Sequence, residues 1–160
     1  MSVILAFDPG TTGAYALLHA DGDLIVRDLP VLKVKRGKTV RSEIDLYELA
    51  NQLRKIAAEN TITMAVVERV GSMPGQGLSS TFGFGRTYGV IQGVIAALQM
   101  PMHLVTPVTW KRALRVPSEK DGARLRASEI FPQYSHHWSR VMDHNRAEAA
   151  LLAHWFQRLP

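Results

Sequence analysis

Two short apolar runs in this chain each end in a carboxylate. Val3–Phe7 leads into Asp8-Pro9-Gly10, and the segment from Thr63 (TMAVVE) ends at Glu68. A short unbroken apolar run closed by a turn reads as a strand covered on both faces, as at the centre of an α/β sheet. A charge at the end of such a strand is costly to bury unless it is solvated, paired or bound to a cation. If the two strands are parallel neighbours, both carboxylates emerge at one edge of the sheet, the edge where open α/β sheets bind ligands. Asp8 alone also reads as a cap on the turn that follows it. The pair favours a shared site.

The other segments supply what such a sheet needs. Gly13–His19 reads as a second strand, Asp21-Gly22 as a hairpin turn and Leu24–Leu29 as a third strand. The basic stretch 33–41, centred on Gly37, reads as a loop or hairpin extension. Ser42 and Asp45 form an S-x-x-D capping pattern, after which Leu46, Leu49, Leu53 and Ile56 recur at helical spacing. Residues 71–79 read as a loop, followed by an apolar helix to Met100. That helix carries Gly83, Gly85, Gly89 and Gly93, each costing roughly 1 kcal/mol against Ala. The spacing predicts a face packed tightly against another backbone, either the sheet or a second copy of the chain. His103–Val105 is a fifth strand, Thr106-Pro107 opens a short helix to Leu114, and Ser118 opens a helix to about Phe131. Asn145–Arg158 is the last helix. The order βββαβαβααα predicts a single α/β domain: a mixed five-stranded sheet flanked by helices.

Composition narrows the chemistry. None of the 160 residues is cysteine, which excludes a disulfide framework, a thiolate nucleophile and Cys-ligated zinc. No apolar run approaches the roughly 18–20 residues of a membrane span. The N-terminal stretch reads as a strand rather than a signal peptide, so a cytoplasmic protein is expected. The formal charge is +5, and its placement is uneven. Residues 33–41 hold Lys33, Lys35, Arg36, Lys38 and Arg41 with no acid, and residues 101–160 hold nine bases against five acids. Such clustering fits a polyanionic partner, although a solvated basic surface would give the same count.

A further acidic segment, Asp143-His144-Asn145-Arg146-Ala147-Glu148-Ala149, opens the last helix. Glu148 stands between alanines on a helix that otherwise reads as core-facing, and small neighbours let it approach the strand ends. Asp143 also reads as a helix N-cap. Asp8, Glu68, Asp143 and Glu148 together are four hard oxygen donors, a set that selects Mg²⁺ or Mn²⁺. Acid clusters of this kind support two-metal phosphodiester hydrolysis, with ions about 3.5–4 Å apart.

These residues and their order resemble the RuvC-like Holliday junction resolvases. The resemblance rests on D-P-G at 8–10, V-V-E-R-V at 66–70, Met73-Pro74-Gly75-Gln76-Gly77 with Phe84-Gly85-Arg86, Thr106-Pro107 with Trp110-Lys111, and D-H-N-R-A-E-A at 143–149. It spans essentially the whole chain and is closest to the compact branch found in phages and prophage-bearing bacteria. It implies an RNase H-like fold with sheet order 3-2-1-4-5, a homodimer, and Mg²⁺-dependent paired nicking of four-way DNA junctions. Asp8 and Glu68 match the first two family carboxylates and Glu148 the last. The usual family spacing puts the remaining ligand at Asn145, which is not an acid, and the family also accepts His in this region, so His144 competes with Asp143. Asp143 is the expected ligand.

The DNA contacts expected are Met73, Arg86, Lys111 and Lys120. Met73 would wedge at the junction centre, or pack within its own loop. Arg86 would approach a phosphate, and Lys111 matches a family lysine near the scissile phosphate. Lys120, Arg124 and Arg126 are expected on one helix, about half of them touching DNA. A broader branched-DNA nuclease and a catalytically inactive DNA-binding module are the nearest alternatives. The D-P-G-T-T-G segment also resembles the phosphate-binding turn of the actin and sugar-kinase superfamily. Those enzymes need two such domains, which 160 residues do not supply.

Overall fold

The computed structural model describes all residues except Met1, Thr11, Ser72, Met73, Pro74, Gln76 and the side chain of Arg36. Its elements follow in the order β1 (Ser2–Asp8), β2 (Ala14–His19), β3 (Leu24–Asp28), β4 (Val31–Arg36), β5 (Thr39–Ile44), α1 (Leu46–Glu59), β6 (Thr61–Glu68) and α2 (Leu78–Ala97). Then come β7 (Met102–Val105), α3 (Pro107–Ala113), α4 (Gly122–Ile130) and α5 (His144–Gln157). Five strands form one sheet in the order β3-β2-β1-β6-β7, which is the expected 3-2-1-4-5 once the separate β4–β5 hairpin is set aside. β1 pairs antiparallel with β2 and parallel with β6.

The two-residue period of the strands divides the core. Val3, Leu5 and Phe7, with Tyr15, Leu17, Ala65 and Val67, face Leu49 and Leu53 of α1 and Ile91 and Ile95 of α2. Ile4 and Ala6, with Ala14, Ala16, Leu18 and Val66, face α5 together with Trp110 and Ala127. The same alternation carried to the strand ends assigns Asp8 and Glu68 to the α5 side.

The basic stretch is an antiparallel hairpin, one of the two forms expected of it, with Ser42 on β5 opposite Lys33. Other local expectations change. Asp45, not Ser42, caps α1, its side chain accepting from the Glu48 N–H at 3.0 Å. The helix expected from Ser118 begins at Gly122, where the chain passes so close that a Cβ would lie 2.0 Å from the Pro117 carbonyl oxygen. Gly83, Gly85, Gly89 and Gly93 are not clamped against a backbone: no described atom outside the helix lies within 4 Å of where their Cβ atoms would be. The inward stripe of α2 is Thr87, Ile91 and Ile95, spaced one turn apart; Gly83 continues it toward the helix start, while Gly85, Gly89 and Gly93 fall off it. Among the described residues, no helix is long and apolar enough to cross a membrane.

Candidate active site

The parallel register of β1 and β6 pairs Ala6 with Val66 and Phe7 with Val67, so Asp8 and Glu68 end their strands side by side. After Asp8 the chain doubles back, Gly13 N–H donating to the Gly10 carbonyl at 2.9 Å. A Cβ at Gly13 would lie 2.2 Å from the Asp8 carbonyl oxygen, so this turn needs glycine there. On the far side of β6, Val105 of β7 pairs with Glu68 and leads into Thr106. The Thr106 side chain caps α3 and Pro107 occupies the first turn, where its missing N–H costs nothing. One turn later Trp110, almost fully buried, donates Nε1–H to Glu68 Oε1 at 2.9 Å. Its neighbour Lys111 donates Nζ–H to Glu148 Oε1 at 2.7 Å.

Glu148 arrives from α5. Ala147 and Ala149 on either side of it are fully buried, and these small side chains let the helix lie close over β1 and β2. Ligand oxygens of Asp8, Glu68 and Glu148 lie within 4.8 Å of one another, the one acidic cluster of this kind among the described residues. Burial, then the Glu148 and Glu68 charges, hold the Asp8 carboxyl well above the usual carboxylate range, against the opposing effects of Lys111 and the Gly10 N–H. Glu68 is raised by burial and by Glu148, and lowered by the Trp110 hydrogen bond and by Lys111. The cluster is therefore an electrostatic liability at neutral pH, which a divalent cation would relieve. Its donors are all carboxylate oxygens, the type that suits Mg²⁺ or Mn²⁺.

Known structures share this architecture. Thermus thermophilus RuvC in complex with a Holliday junction substrate superposes with a TM-score of 0.56 over 94% of this chain and 90% of that one, at 16% identity. The T. thermophilus RuvC structure gives 0.59, covering 98% and 95% at 16% identity. The yeast mitochondrial Holliday junction resolvase gives 0.60, covering 98% of this chain and 78% of its own, again at 16% identity. The chain has the RuvC fold. At the level of sequence, neither a family model nor a curated protein matches it.

Within this RuvC fold Asp143 and His144 stand outside the cluster, and Asn145 turns its amide nitrogen to Thr12. Asp143 is buried, but both its oxygens are held by Arg140: Oδ1 accepts from Nη2 at 2.8 Å, and Oδ2 from Nε at 3.0 Å and the backbone N–H at 3.2 Å. The Arg140 guanidinium holds the Asp143 carboxyl below its ordinary value. His144 is exposed, its Nδ1 3.3 Å from the Val141 carbonyl. Asn145 is buried and donates Nδ2–H to the Thr12 carbonyl at 2.6 Å and to Thr12 Oγ1 at 3.0 Å. Asn145 thus ties α5 to the turn that follows Asp8.

Of the expected DNA contacts, Met73 lies outside the described residues. Arg86 is on α2 and pairs with Glu43 of the hairpin. Lys111 is inside the site. Lys120 is exposed, but in the turn ahead of α4 rather than on it. Arg124 and Arg126 are on α4 and act as clamps. Arg124 holds Asp121 and the Ser139 carbonyl, while Arg126 holds Glu129 and the Leu114 carbonyl. Sequence reasoning missed the contact of Trp110 with Glu68 and that of Asn145 with Thr12. Trp110 had one usable signal: an indole N–H one turn into a helix that starts beside the Glu68 strand end.

Proposed function

We propose that this protein is a divalent-metal-dependent, structure-selective endonuclease that resolves four-way DNA junctions by paired nicks as a homodimer. The observation that carries this reading is the convergence of Asp8, Glu68 and Glu148 within 4.8 Å at the carboxyl edge of the sheet. It is supported by the RuvC fold, one example of which is solved with a Holliday junction substrate. Asp8, Glu68 and Glu148 would hold Mg²⁺, with Mn²⁺ able to substitute. The chemistry the bound ions supply is a nucleophilic water and charge neutralisation at the leaving oxygen.

The chain's own residues do the rest. Trp110 holds Glu68 Oε1, fixing the rotation of that carboxylate. Lys111 sits against Glu148, where a scissile phosphate would bring a competing charge. Lys120, Arg86 and the hairpin lysines supply a basic rim for the DNA backbone. The products would carry 5′-phosphate and 3′-hydroxyl ends, and two copies would address opposed strands.

The test incubates the purified protein with an end-labelled four-way junction and Mg²⁺, beside a linear duplex of the same sequence. Selective, symmetrical nicking of the junction is expected, abolished by Asp8→Asn with binding retained. Equal cutting of both substrates would reduce the reading to a general nuclease. Junction binding without any cutting would leave a DNA-binding module.

A further inference from the structure

Asn145 is the second residue of α5 and lies one turn before Glu148, so the two share a face of that helix. The local setting favours a carboxylate at 145. A helix N-terminus attracts negative charge, and an acid there would add a fourth hard oxygen donor beside a cation site. The chain places an amide there instead. It is buried, and its Nδ2 group donates to the Thr12 carbonyl at 2.6 Å and to Thr12 Oγ1 at 3.0 Å.

That contact explains the amide. A backbone carbonyl only accepts, so the side chain facing it must donate. Asparagine does. An ionised aspartate in its place would set two acceptors against each other in a buried position, where an unmade hydrogen bond is costly. The carbonyl also fixes how the amide is turned, with nitrogen toward Thr12 and Oδ1 away from it.

The reach of the contact comes from the turn to which Thr12 belongs. This turn closes on itself: Gly13 N–H donates to the Gly10 carbonyl, and a Cβ on Gly13 would lie 2.7 Å from the Gly10 nitrogen. Gly10 N–H in turn hydrogen-bonds the Asp8 carboxyl. The Gly13 carbonyl accepts from Leu29 N–H at 2.9 Å, which anchors the turn beyond β3. The turn is thus a stiff unit that carries a donor for Asp8, and Asn145 fastens it to the helix that carries Glu148. We propose that Asn145 is a positioning residue for the metal site: by holding the Thr12 turn against α5, it sets where the Asp8 carboxylate stands relative to Glu148. This rests on the reading of Asp8, Glu68 and Glu148 as ligands of a divalent ion. It adds that position 145 requires a donor, so a fourth carboxylate there weakens the site rather than completing it.

The experiment titrates Mn²⁺ into the metal-free, full-length protein without DNA and follows the free ion by its electron paramagnetic resonance signal. Asp8→Asn marks loss of the site. Removing a group that supports a metal ligand costs about 10–100-fold in affinity, and Asn145→Ala is expected to weaken Mn²⁺ by that factor. Asn145→Asp is expected to weaken it at least as far, although it adds an anionic oxygen. Thr12→Val keeps the carbonyl and loses only the hydroxyl, so it falls between Asn145→Ala and the parent. Asn145→Ala adds no charge and carries the test where Asn145→Asp fails to fold. If Asn145→Asp binds Mn²⁺ as tightly as the parent, or more tightly, the side chain is a ligand and the tether is wrong. If Asn145→Ala melts lower yet binds Mn²⁺ like the parent, Asn145 serves the fold alone and the proposal is again wrong. Mn²⁺ affinity that obeys these variants in a protein that never cuts junctions keeps the tether and sinks the resolvase reading. Selective junction cutting with an Mn²⁺ affinity indifferent to residue 145 does the reverse.

Discussion

Lys111 Nζ lies 2.7 Å from Glu148 Oε1 and joins α3 to α5 across the carboxylate cluster. It also sits 5.2 Å from the centroid of the Trp110 ring, whose own N–H holds Glu68. Adjacent residues on one short helix thus hold two of the three carboxylates, one through a charge and one through a neutral donor.

Lys111→Met should separate these roles. The ammonium is more than a third exposed, so solvent screens the pair and its loss destabilises the metal-free protein by no more than about 1 kcal/mol. A donor aimed at developing phosphate charge is worth far more, and cutting should fall on the order of 10²-fold. Melting curves and single-turnover junction cleavage report the two effects. A variant that melts and cuts like wild type would remove Lys111 from the mechanism.

The raised carboxyl of Asp8 makes the metal-free protein sensitive to alkali. Its folded value lies above the unfolded one, so its contribution to stability is fully present below the unfolded value, about pH 4, and is lost as pH rises through the folded value. Glu68 acts in the same direction. In EDTA, wild type should therefore melt lower at about pH 8 than at about pH 5. Asp8→Asn should flatten that difference and melt higher than wild type at neutral pH. An Asp8→Asn protein less stable than wild type throughout would mean that Asp8 is held by a favourable contact rather than under repulsion.

Ions that bind the cluster should reverse that loss. Saturating Mg²⁺ or Mn²⁺ at about a hundred times its dissociation constant adds about 2.7 kcal/mol to the folded state, a plain rise in melting temperature. Asp8→Asn should show little of it. An equal Mg²⁺ shift in wild type and variant would locate the ion elsewhere.

How much of this could be read beforehand follows from which interactions are local. The apolar runs V-I-L-A-F and A-V-V, each closed by an acid, already put Asp8 and Glu68 at one edge of the sheet for strands that are parallel neighbours, and the alanines around Glu148 indicated a helix lying close to the sheet. The hold of Arg140 on Asp143 was hidden, because an arginine three residues before an acid is common and only the local 3-10 turn decides whether they meet. The glycines of α2 misled for a related reason. Gly85, Gly89 and Gly93 repeat on one face, but the neighbouring stripe of Thr87, Ile91 and Ile95 won the core. The hairpin's docking on α2 joins residues more than thirty positions apart, beyond what periodicity reports.

Trp110→Phe keeps the buried ring and deletes the N–H on Glu68. A buried carboxylate losing one donor costs about 1–3 kcal/mol. Because that hydrogen bond favours the ionised form, its loss raises the Glu68 carboxyl further. The acidic limb of the pH–rate profile for junction cutting should move to higher pH, with activity recovering as pH is raised. A uniform drop in rate with the limb unmoved would show that Trp110 only fills space.

Asp143→Asn decides the membership of the metal site. Both Asp143 oxygens are held by Arg140 and none joins the cluster, so the carboxylate is expected to shape the entry to α5 rather than to bind the ion. Cutting should then survive within a few-fold, whereas even a residue that merely supports a metal ligand costs about 10–100-fold when removed. The Mn²⁺ dependence of cleavage gives the second readout, unchanged for a structural Asp143 and shifted to higher concentration for a ligand. Should Asp143→Asn instead lose activity as completely as Asp8→Asn, α5 must shift when metal and DNA bind, releasing Asp143 from Arg140 to complete a four-carboxylate site.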